Sequence, residues 1–326
     1  MNEKSKKVFQ IFNSFENFVL ITHINPDIDG ISSILSLHIL FKSLNKKSFP
    51  LVENIPENAE FLPYSKDLIL VDNFNLKLHN PVTIVLDAHT PERIPEKVLE
   101  KASFSKVFVI IDHHHPDTNK KAFSEKEIPI IDPSAPSTTV LIYKLLKSGN
   151  FLITPEMAQN LLAGLYFDTG CFKYENVNGE TFLIASELSN LGAKPYLVAT
   201  SLFENISLNE VETLKIILAR LEFLKNGVIA ISYLTYEDIQ KIGSKNLSDF
   251  ANFLRSIKGV KISALVKEVE KNIVSVSLRS RAPIEILELA KNFGGGGHKY
   301  ACGFKTKVNN FYEFLKSFKE ELKSFL

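Results

Sequence analysis

The feature that most constrains this chain is a series of short apolar runs, each of which ends in an aspartate or a histidine. The five runs occupy residues 18–21, 68–71, 82–86, 107–111 and 128–131. They are rich in Ile, Val and Leu, which is typical of strands buried on both faces of a sheet. Helical patterns between several of them, such as residues 31–44 and 95–102, predict a parallel, doubly wound α/β sheet. Ligands bind such sheets at the carboxyl ends of the strands, where these Asp and His residues stand.

The rest of the chain predicts a second, smaller α/β domain, and 326 residues are enough for two domains. Helical patterns begin near Thr138 and continue at residues 155–166, 179–191 and 208–224. Strand-like runs return at residues 228–233, 260–269 and 272–278, with helical patterns at 247–257, 284–292 and 310–325. We predict a first domain at residues 1–190, a helical connector at 191–226 and a second domain at 227–326.

The charge of the chain is balanced overall but uneven along its length. With 38 Lys and Arg against 37 Asp and Glu, the net charge is +1, so binding of long duplex DNA is not expected. Residues from 226 onward hold 16 basic and 10 acidic side chains, and residues 1–225 hold the other 22 and 27. An acidic first half suits cations and a basic second half suits an anionic ligand, although two solvated surfaces explain the same numbers.

Neither a secretion signal nor a membrane span is indicated. The N-terminus contains lysines but no continuous apolar segment, and no run of about 18 apolar residues occurs. Cys171 and Cys302 are too few for a disulfide framework. These features predict a cytoplasmic protein that does not associate with a membrane.

Candidate metal ligands follow the predicted strands and helices in four separate segments, THINPDIDG, VLDAHT, VIIDHHHPD and YFDTG. The residues are His23, Asp27, Asp29, Asp87, Asp112, His113, His114 and Asp168. Any one of them alone is more often a helix cap, a turn residue or a structural histidine. Clustered together, the carboxylates would repel one another unless cations lay between them. Imidazole with carboxylates suits Mn²⁺, Mg²⁺ or Zn²⁺ rather than a soft metal.

The order of these motifs resembles that of the DHH phosphoesterase superfamily. THINPDIDGISS, DAH, DHH and DTG correspond to its four N-terminal motifs, and SLRS and GGGGHKYACGF resemble its DHHA1 domain. The resemblance covers nearly the whole chain and is strongest to the bifunctional oligoribonuclease/pAp phosphatase group, the nano-RNases. The family usually reads Asp-Gly-Asp-Ala where this chain has Asp27-Ile28-Asp29-Gly30.

The resemblance implies two divalent metal ions, with Mn²⁺ expected and Mg²⁺ or Co²⁺ as alternatives. The ligands of one ion would be His23, Asp27 and Asp87. The ligands of the second would be Asp29, Asp87, His113 and Asp168. His114 would face the scissile phosphate and Asp112 would orient a neighbouring histidine, so these two are the predicted catalytic residues. Two ions can lower the pKa of a shared water enough to supply hydroxide near neutral pH. The hydroxide would then attack phosphorus in line with the leaving oxygen.

A run of four glycines, residues 294–297, indicates an anion-binding loop in the second domain. Without Cβ atoms, backbone N–H groups can approach an anion closely, and Arg279 suits a phosphate. One glycine would serve as a helix C-cap, but four exceed that need. The family resemblance assigns substrate binding to this loop. The predicted substrate-binding residues of the second domain are Arg279, Gly295, Gly296, Gly297 and His298.

The segment DPSAPST, which ends at Thr138, is a second candidate for substrate binding. It follows a predicted strand and precedes a predicted helix, so Ser137 could meet a phosphate at the helix N-terminus. Capping of that helix by Ser137 is an equally good interpretation. Both alternatives remain open at this point.

The function implied by the resemblance is hydrolysis of short oligoribonucleotides to mononucleotides, together with removal of the 3′-phosphate of pAp. The alternative is a phosphodiesterase for pApA or cyclic di-AMP, which would use the same site. A family II inorganic pyrophosphatase or a RecJ-type exonuclease fits the second domain and the chain length less well. A sensor with an inactive metal site would lack a ligand, and none is missing here. The expected partners are short RNA or small nucleotides, with a homodimer as an open alternative.

Overall fold

The structure is a computed structural model that describes residues 3–115, 121–243 and 249–326. The chain divides into two compact units, Met1–Asn205 and Ile206–Leu326. This boundary falls within residues 191–226, the predicted connector. The predicted start of a helix at residue 247 lies outside the described residues.

The first unit is built on a six-stranded sheet in which all strands are parallel. Its strands are β1 (Asn17–Ile21), β2 (Lys47–Val52), β3 (Ile69–Leu70), β4 (Val82–Leu86), β5 (Val107–Asp112) and β6 (Glu127–Ile131). They lie in the order β3-β2-β1-β4-β5-β6, so the chain winds outward in both directions from the centre. This arrangement confirms the predicted doubly wound parallel sheet.

Helices cover both faces of this sheet. They are α1 (Glu3–Ser14), α2 (Ile28–Ser43), α3 (Glu96–Ala102), α4 (Thr138–Ser148), α5 (Pro155–Asp168), α6 (Gly179–Asn190) and α7 (Pro195–Phe203). One core contains apolar side chains of α2, α4 and α5, and the other contains those of α3. Helix α2 is buried from Ile28 to Phe41, nearly its whole length, and small polar side chains such as Ser32 and Ser36 are buried together with its apolar ones.

Strand β2 was absent from the sequence prediction. Its sequence, KSFPLV, contains Pro50, and a proline in the interior argues against a central strand because it donates no ladder hydrogen bond. In the structure Pro50 pairs in register with Leu20 of β1, whereas the pairing with β3 involves only Leu51 and Val52. Neighbouring β3 is only two residues long, shorter than the predicted run 68–71, so β2 lies close to the edge of the sheet.

The second unit contains a six-stranded mixed sheet. Its strands are β7 (Glu222–Leu224), β8 (Ile229–Leu234), β9 (Ile262–Glu270), β10 (Ile273–Ser280), β11 (Gly296–His298) and β12 (Ala301–Lys307). Its helices are α8 (Leu208–Ala219), α9 (Tyr236–Ile242), α10 (Asp249–Ser256), α11 (Leu287–Asn292) and α12 (Phe311–Phe325). The strand order is β11-β12-β10-β9-β8-β7, and only β8 and β9 are parallel. The predicted α/β class of this domain is confirmed.

Two sequence predictions in the second unit were wrong in detail. The predicted helix 208–224 ends at Ala219, and Glu222–Leu224 forms the edge strand β7 instead. The glycine run was predicted as a loop, but Gly296 and Gly297 belong to a short strand that pairs with β12 in an antiparallel hairpin. Strands β9 and β10 form an antiparallel hairpin, with Asn272 in the left-handed conformation at its turn. None of the helices in the described ranges is long and apolar enough to cross a membrane.

Helix α12 closes the core of the second unit with one apolar stripe. Asn310 caps its N-terminus by accepting hydrogen bonds from the backbone N–H groups of Tyr312 and Glu313. Phe311, Leu315 and Phe318 recur at helical spacing and are buried against the sheet. The burial of this stripe, rather than helix propensity alone, holds α12 in place.

We predict that Phe318→Ala destabilises the second unit by about 3–5 kcal/mol, because it removes a buried ring from a packed core. Phe318 is 1% exposed. Tyr312→Ala on the same helix is the matched control, since Tyr312 is 60% exposed. Urea unfolding of the full chain measures both changes. Equal free energies of unfolding for the two variants would contradict the packing described here.

Candidate metal centre

The carboxyl ends of three adjacent strands deliver most of the candidate metal ligands. His23 follows β1, Asp87 follows β4, and the Asp112-His113-His114 triplet lies at the end of β5. Since β1, β4 and β5 are neighbours at the centre of the sheet, these side chains converge at one edge. Helix α2 brings Asp27 and Asp29 to the same edge at its first turn, and α5 brings Asp168 at its last residue.

Asp87 lies at the centre of the cluster. Its Oδ2 atom is 3.3 Å from Nε2 of His23, and its Oδ1 atom is 3.6 Å from Nε2 of His113 and 3.5 Å from Nδ1 of His114. The residue is buried and has a φ of 60°, a left-handed conformation that is strained for a non-glycine residue. The chain thus turns sharply as it leaves β4, and Asp87 contacts ligand candidates from both neighbouring strands.

The candidate ligand atoms form compact groups, in each of which every atom lies within 4.8 Å of the others. One group is His23, Asp27 and Asp87, another is Asp29, His113 and Asp168, and a third is Asp87, His113 and His114. The first two match the two predicted ligand sets, except that the compact second group does not include Asp87. All six predicted ligands therefore lie together, and their assignment to two separate ions stays a prediction.

Asp29 is held by the N-terminus of helix α4. Its carboxylate accepts hydrogen bonds from the backbone N–H groups of Thr138 (2.7 Å) and Thr139 (3.1 Å), and from the Thr139 hydroxyl (2.8 Å). Thr138 also donates from its hydroxyl to Oδ1 of Asp87, at 2.9 Å. This helix N-terminus, for which contact with a substrate phosphate was one of two open alternatives, contacts carboxylates of the protein itself, as the helix dipole favours.

Ser137 is the N-cap of the same helix. It is fully buried, its hydroxyl accepts a hydrogen bond from the backbone N–H of Val140, and it shares another with the Thr139 hydroxyl. These contacts support the capping interpretation and leave Ser137 no exposed surface for a substrate. Thr138, the last residue of the segment DPSAPST, and Thr139, which follows it, were not predicted to contact the metal ligands.

Two glycines are required by the close packing of the centre. A Cβ atom on Gly30 would lie 2.5 Å from the Thr22 hydroxyl oxygen, and one on Gly164 would lie 2.4 Å from Oδ1 of Asp29. Gly30, which stands where the family usually has Ala, lies in the first turn of α2 and packs against Thr22, the residue that follows β1. Gly164 allows helix α5 to approach Asp29.

Asp112 is buried completely and connects two histidines. Its Oδ1 atom accepts hydrogen bonds from the backbone N–H of His114 (3.1 Å) and from Nδ1 of His114 (2.8 Å). Its Oδ2 atom contacts Nδ1 of His89, a buried residue that the sequence reasoning did not single out. Burial alone would raise the pKa of Asp112, but the bonds from His114 and His89 outweigh it and hold that pKa far below its usual range. Asp112 is therefore ionised, as expected of a residue that orients a histidine.

The pKa values of Asp29, His23 and His113 are raised above those of isolated side chains. Burial and the nearby charge of Asp87 raise the pKa of Asp29 to about 7. Burial disfavours protonation of His23 and His113, yet the carboxylates beside them outweigh it and raise each pKa to about 10. Protons thus provide the positive charge that this crowded cluster of carboxylates needs.

The residues of the centre fit divalent metal ions. Nε2 of His23 and Oδ2 of Asp168 are buried and have no hydrogen-bond partner of good geometry among the described residues, although Oδ2 of Asp87 lies 3.3 Å from the first atom and Nε2 of His113 lies 3.1 Å from the second. Buried polar atoms without such partners are costly, and a bound cation would remove that cost. The donors are nitrogen and oxygen atoms, which suit Mn²⁺, Mg²⁺ or Zn²⁺.

The substrate-binding residues predicted in the second domain lie on its mixed sheet. Arg279 on β10 donates from Nε to Oδ1 of Asn252 (3.1 Å) and from Nη1 to the carbonyl of Leu278 (2.9 Å). Gly296, Gly297 and His298 form β11, and all three are exposed. The hairpin brings the glycine run and Arg279 into one sheet, since β12 pairs with both β11 and β10. Substrate binding by these residues stays a prediction.

Close pairing with β12 explains part of the glycine run. A Cβ atom on Gly295 would lie 2.2 Å from the carbonyl oxygen of Gly303, and one on Gly297 would lie 2.7 Å from that of Ala301. A Cβ atom on Gly296 would meet nothing within 4 Å. Two of the glycines predicted to contact an anion are therefore required by the hairpin itself.

Fold and site together define a metal-dependent phosphoesterase. Residues 17–165 match the DHH family N-terminal domain, and residues 229–324 match the DHHA1 domain. The chain therefore belongs to the DHH family and carries a DHHA1 domain, as its motifs indicated. The matched segments together span most of the chain.

The relatives share this two-domain organisation over most of the chain. The chain is 28% identical to the bifunctional oligoribonuclease and PAP phosphatase NrnA of Thermus thermophilus, over 98% of this chain and 95% of that protein. It is 26% identical to the cyclic-di-AMP phosphodiesterase GdpP of Geobacillus thermodenitrificans, over 87% of this chain and 44% of that protein. A crystal structure described as an exopolyphosphatase-related protein from Bacteroides fragilis superimposes with a TM-score of 0.88 at 26% identity, covering 99% of this chain and 96% of that one.

We predict that Gly164→Ala lowers the affinity for Mn²⁺ by about 10- to 100-fold, because the new methyl group displaces Asp29 and the Thr139 side chain that holds it. Helix propensity alone would make the same change stabilising by about 1 kcal/mol. Gly179→Ala is the matched control, since a Cβ atom there meets nothing within 4 Å. Isothermal titration calorimetry measures the affinity, and equal values for both variants would contradict the close approach of α5.

We also predict that the affinity for Mn²⁺ rises with pH. A divalent ion must displace the protons held at His23 and His113, whose pKa values are raised to about 10, and at Asp29, whose pKa is raised to about 7. Raising the pH from about 6 to about 8 deprotonates Asp29 and lowers the proton concentration against which the ion competes at the two histidines, so binding should be tighter at the higher pH. Titrations in buffers of different ionisation enthalpy count the protons released. A flat pH profile without proton release would be the contrary result.

Proposed function

We propose that this protein hydrolyses short oligoribonucleotides to mononucleotides and removes the 3′-phosphate of pAp. The observation that carries this proposal is the cluster around Asp87, where His and Asp side chains from three strands and two helices converge. A relative that covers nearly the whole chain bears the name of an oligoribonuclease and PAP phosphatase. Both reactions break a phosphate ester bond, so one hydrolytic centre serves both.

The residues of the centre would have separate roles in hydrolysis. His23, Asp27, Asp29, Asp87, His113 and Asp168 would hold the divalent ions. When bound, the ions supply Lewis acidity, lowering the pKa of water and neutralising phosphate charge. His114, fixed by Asp112, would donate a hydrogen bond to the phosphate or a proton to the leaving oxygen. Arg279 and the β11 residues stay the predicted substrate-binding residues of the second unit.

The second candidate function is hydrolysis of pApA or cyclic di-AMP. The similarity to the cyclic-di-AMP phosphodiesterase GdpP favours it, although this chain corresponds to less than half of that protein. Both candidates place a phosphodiester at the same centre. The two candidate functions would differ in the protein groups that contact the bases of the substrate. A comparison of hydrolysis rates on the different substrates therefore distinguishes the two functions.

Three finer sequence predictions accompany this proposal. Mn²⁺ is the metal that the family resemblance implies, since the donor set alone suits several divalent ions, and measured affinities for Mn²⁺, Mg²⁺ and Co²⁺ test this prediction. A cytoplasmic location and a homodimer also stay predictions. Sedimentation of the purified protein tests the homodimer.

We predict that Asp87→Asn lowers turnover on the order of 10³-fold, because the amide removes the negative charge at the centre of the cluster. The assay compares 5′-labelled RNA dimers to pentamers, pAp, pApA, cyclic di-AMP and pyrophosphate in the presence of Mn²⁺, with all products separated. Asp72→Asn is the control, since Asp72 is an exposed aspartate of the same unit that pairs with Lys97.

Each outcome of this assay has a defined meaning. Stepwise shortening of the RNA and conversion of pAp to AMP, both lost in Asp87→Asn and kept in Asp72→Asn, would establish the proposed function. Preference for pApA or cyclic di-AMP would replace it with the second candidate. Absence of metal-dependent turnover on every substrate would refute both.

A further inference from the structure

We propose that His89 is a positioning residue that holds Asp112, and through it His114, in place for the reaction. This inference rests on the proposed function and adds a residue to its site. His89 lies two positions after Asp87, in the loop that leaves β4. It is 3% exposed, so it cannot serve as a surface histidine that samples many conformations.

The contacts of His89 form one continuous chain with the end of β5. Nδ1 of His89 contacts Oδ2 of Asp112. The other oxygen of the same carboxylate accepts the hydrogen bonds from the backbone N–H and Nδ1 of His114. One buried carboxylate therefore connects an imidazole from the β4 loop with an imidazole from the β5 loop.

A planar carboxylate transmits the position of one oxygen to the other. If Oδ2 of Asp112 is held by His89, then Oδ1 cannot rotate away from His114. Asp112 is fully buried, so loss of the His89 donor leaves a buried oxygen that must turn toward another donor. That rotation would break the alignment of Oδ1 with Nδ1 of His114.

The hydrogen bond at Nδ1 decides how His114 can act. Because Nδ1 donates to Asp112, the imidazole is held in one tautomer and meets a substrate through Nε2. A defined tautomer and ring orientation are what a hydrogen-bond donor to phosphate requires. His89 thus acts two steps away from the substrate, through Asp112 and His114.

His89 is not one of the candidate metal ligands. Among the described residues, it belongs to none of the groups whose atoms could hold an ion. Loss of His89 should therefore change turnover while leaving metal affinity nearly unchanged. This difference separates a positioning role from a role in assembling the metal centre.

The test compares His89→Leu with His89→Asn in the full-length, Mn²⁺-loaded enzyme. Leu keeps an apolar side chain in the buried position but removes the donor, and we expect kcat to fall about 10- to 100-fold. The amide nitrogen of Asn offers a donor near the position of Nδ1, so His89→Asn should retain kcat within about threefold of the original enzyme. Affinity for Mn²⁺, measured by calorimetry, should stay within about threefold in both variants.

His38→Leu is the matched control. His38 is 6% exposed, and its Nε2 lies 3.1 Å from Oδ2 of Asp67, so it too is a buried histidine beside an aspartate in the first unit. It lies near the end of α2 that is opposite to Asp29. This variant should lose thermal stability without a change in kcat, and it reports what removal of any buried histidine does.

Two results would overturn the proposal. One is an unchanged kcat in His89→Leu. The other is a fall in kcat that Asn does not restore or that a proportional loss of Mn²⁺ affinity explains.

A spectroscopic measurement distinguishes this failure from failure of the proposed function. Imidazole ¹H–¹⁵N spectra of the Mg²⁺-loaded enzyme report the tautomer of His114 without any substrate. We expect an Nδ1–H form in the original enzyme and in His89→Asn, and a mixture of tautomers in His89→Leu. If no substrate is hydrolysed, the proposed function fails, and the spectra still decide whether His89 holds His114. Identical His114 signals in all three proteins would refute the positioning role.

Discussion

The structure depends on the crowding of carboxylates at one edge of a parallel sheet. Asp27, Asp29, Asp87 and Asp168 reach this edge from a strand and two helices, and their charges repel one another. The protein balances part of this charge with its own groups: the N-terminus of α4 contacts Asp29, and two histidines contact Asp112. The rest is balanced by protons on His23 and His113, or by the metal ions that would replace them.

The sequence was sufficient to predict the ligand candidates because of a general property of parallel sheets. When strands run in one direction, the residues that follow them meet at one edge, so His23, Asp87 and His113 could be placed together from the positions of apolar runs alone. The motif order added Asp168, which follows a helix. The division into two α/β domains followed from the same pattern of strands and helices.

The supporting contacts could not be predicted, because they join residues far apart in the chain. Nothing near Asp29 in the sequence indicates that Thr138 and Thr139 bind it, and nothing near Asp112 indicates His89. A proline concealed strand β2, and a run of glycines suggested a loop where close strand pairing requires small residues. Helix and strand propensities describe the local preferences of a short segment. The packing of side chains and the register of the strands determined that β2 and β11 form.

The central claim is that the cluster around Asp87 holds a pair of divalent ions, and Mn²⁺ binding followed by electron paramagnetic resonance tests it most directly. Ions that share a carboxylate interact magnetically, so the account predicts two Mn²⁺ per chain with the spectrum of an exchange-coupled pair. The replacement Asp87→Asn should abolish that coupling. A single bound ion, or two ions that each give an isolated six-line spectrum, would contradict the assignment of Asp87 as the shared ligand.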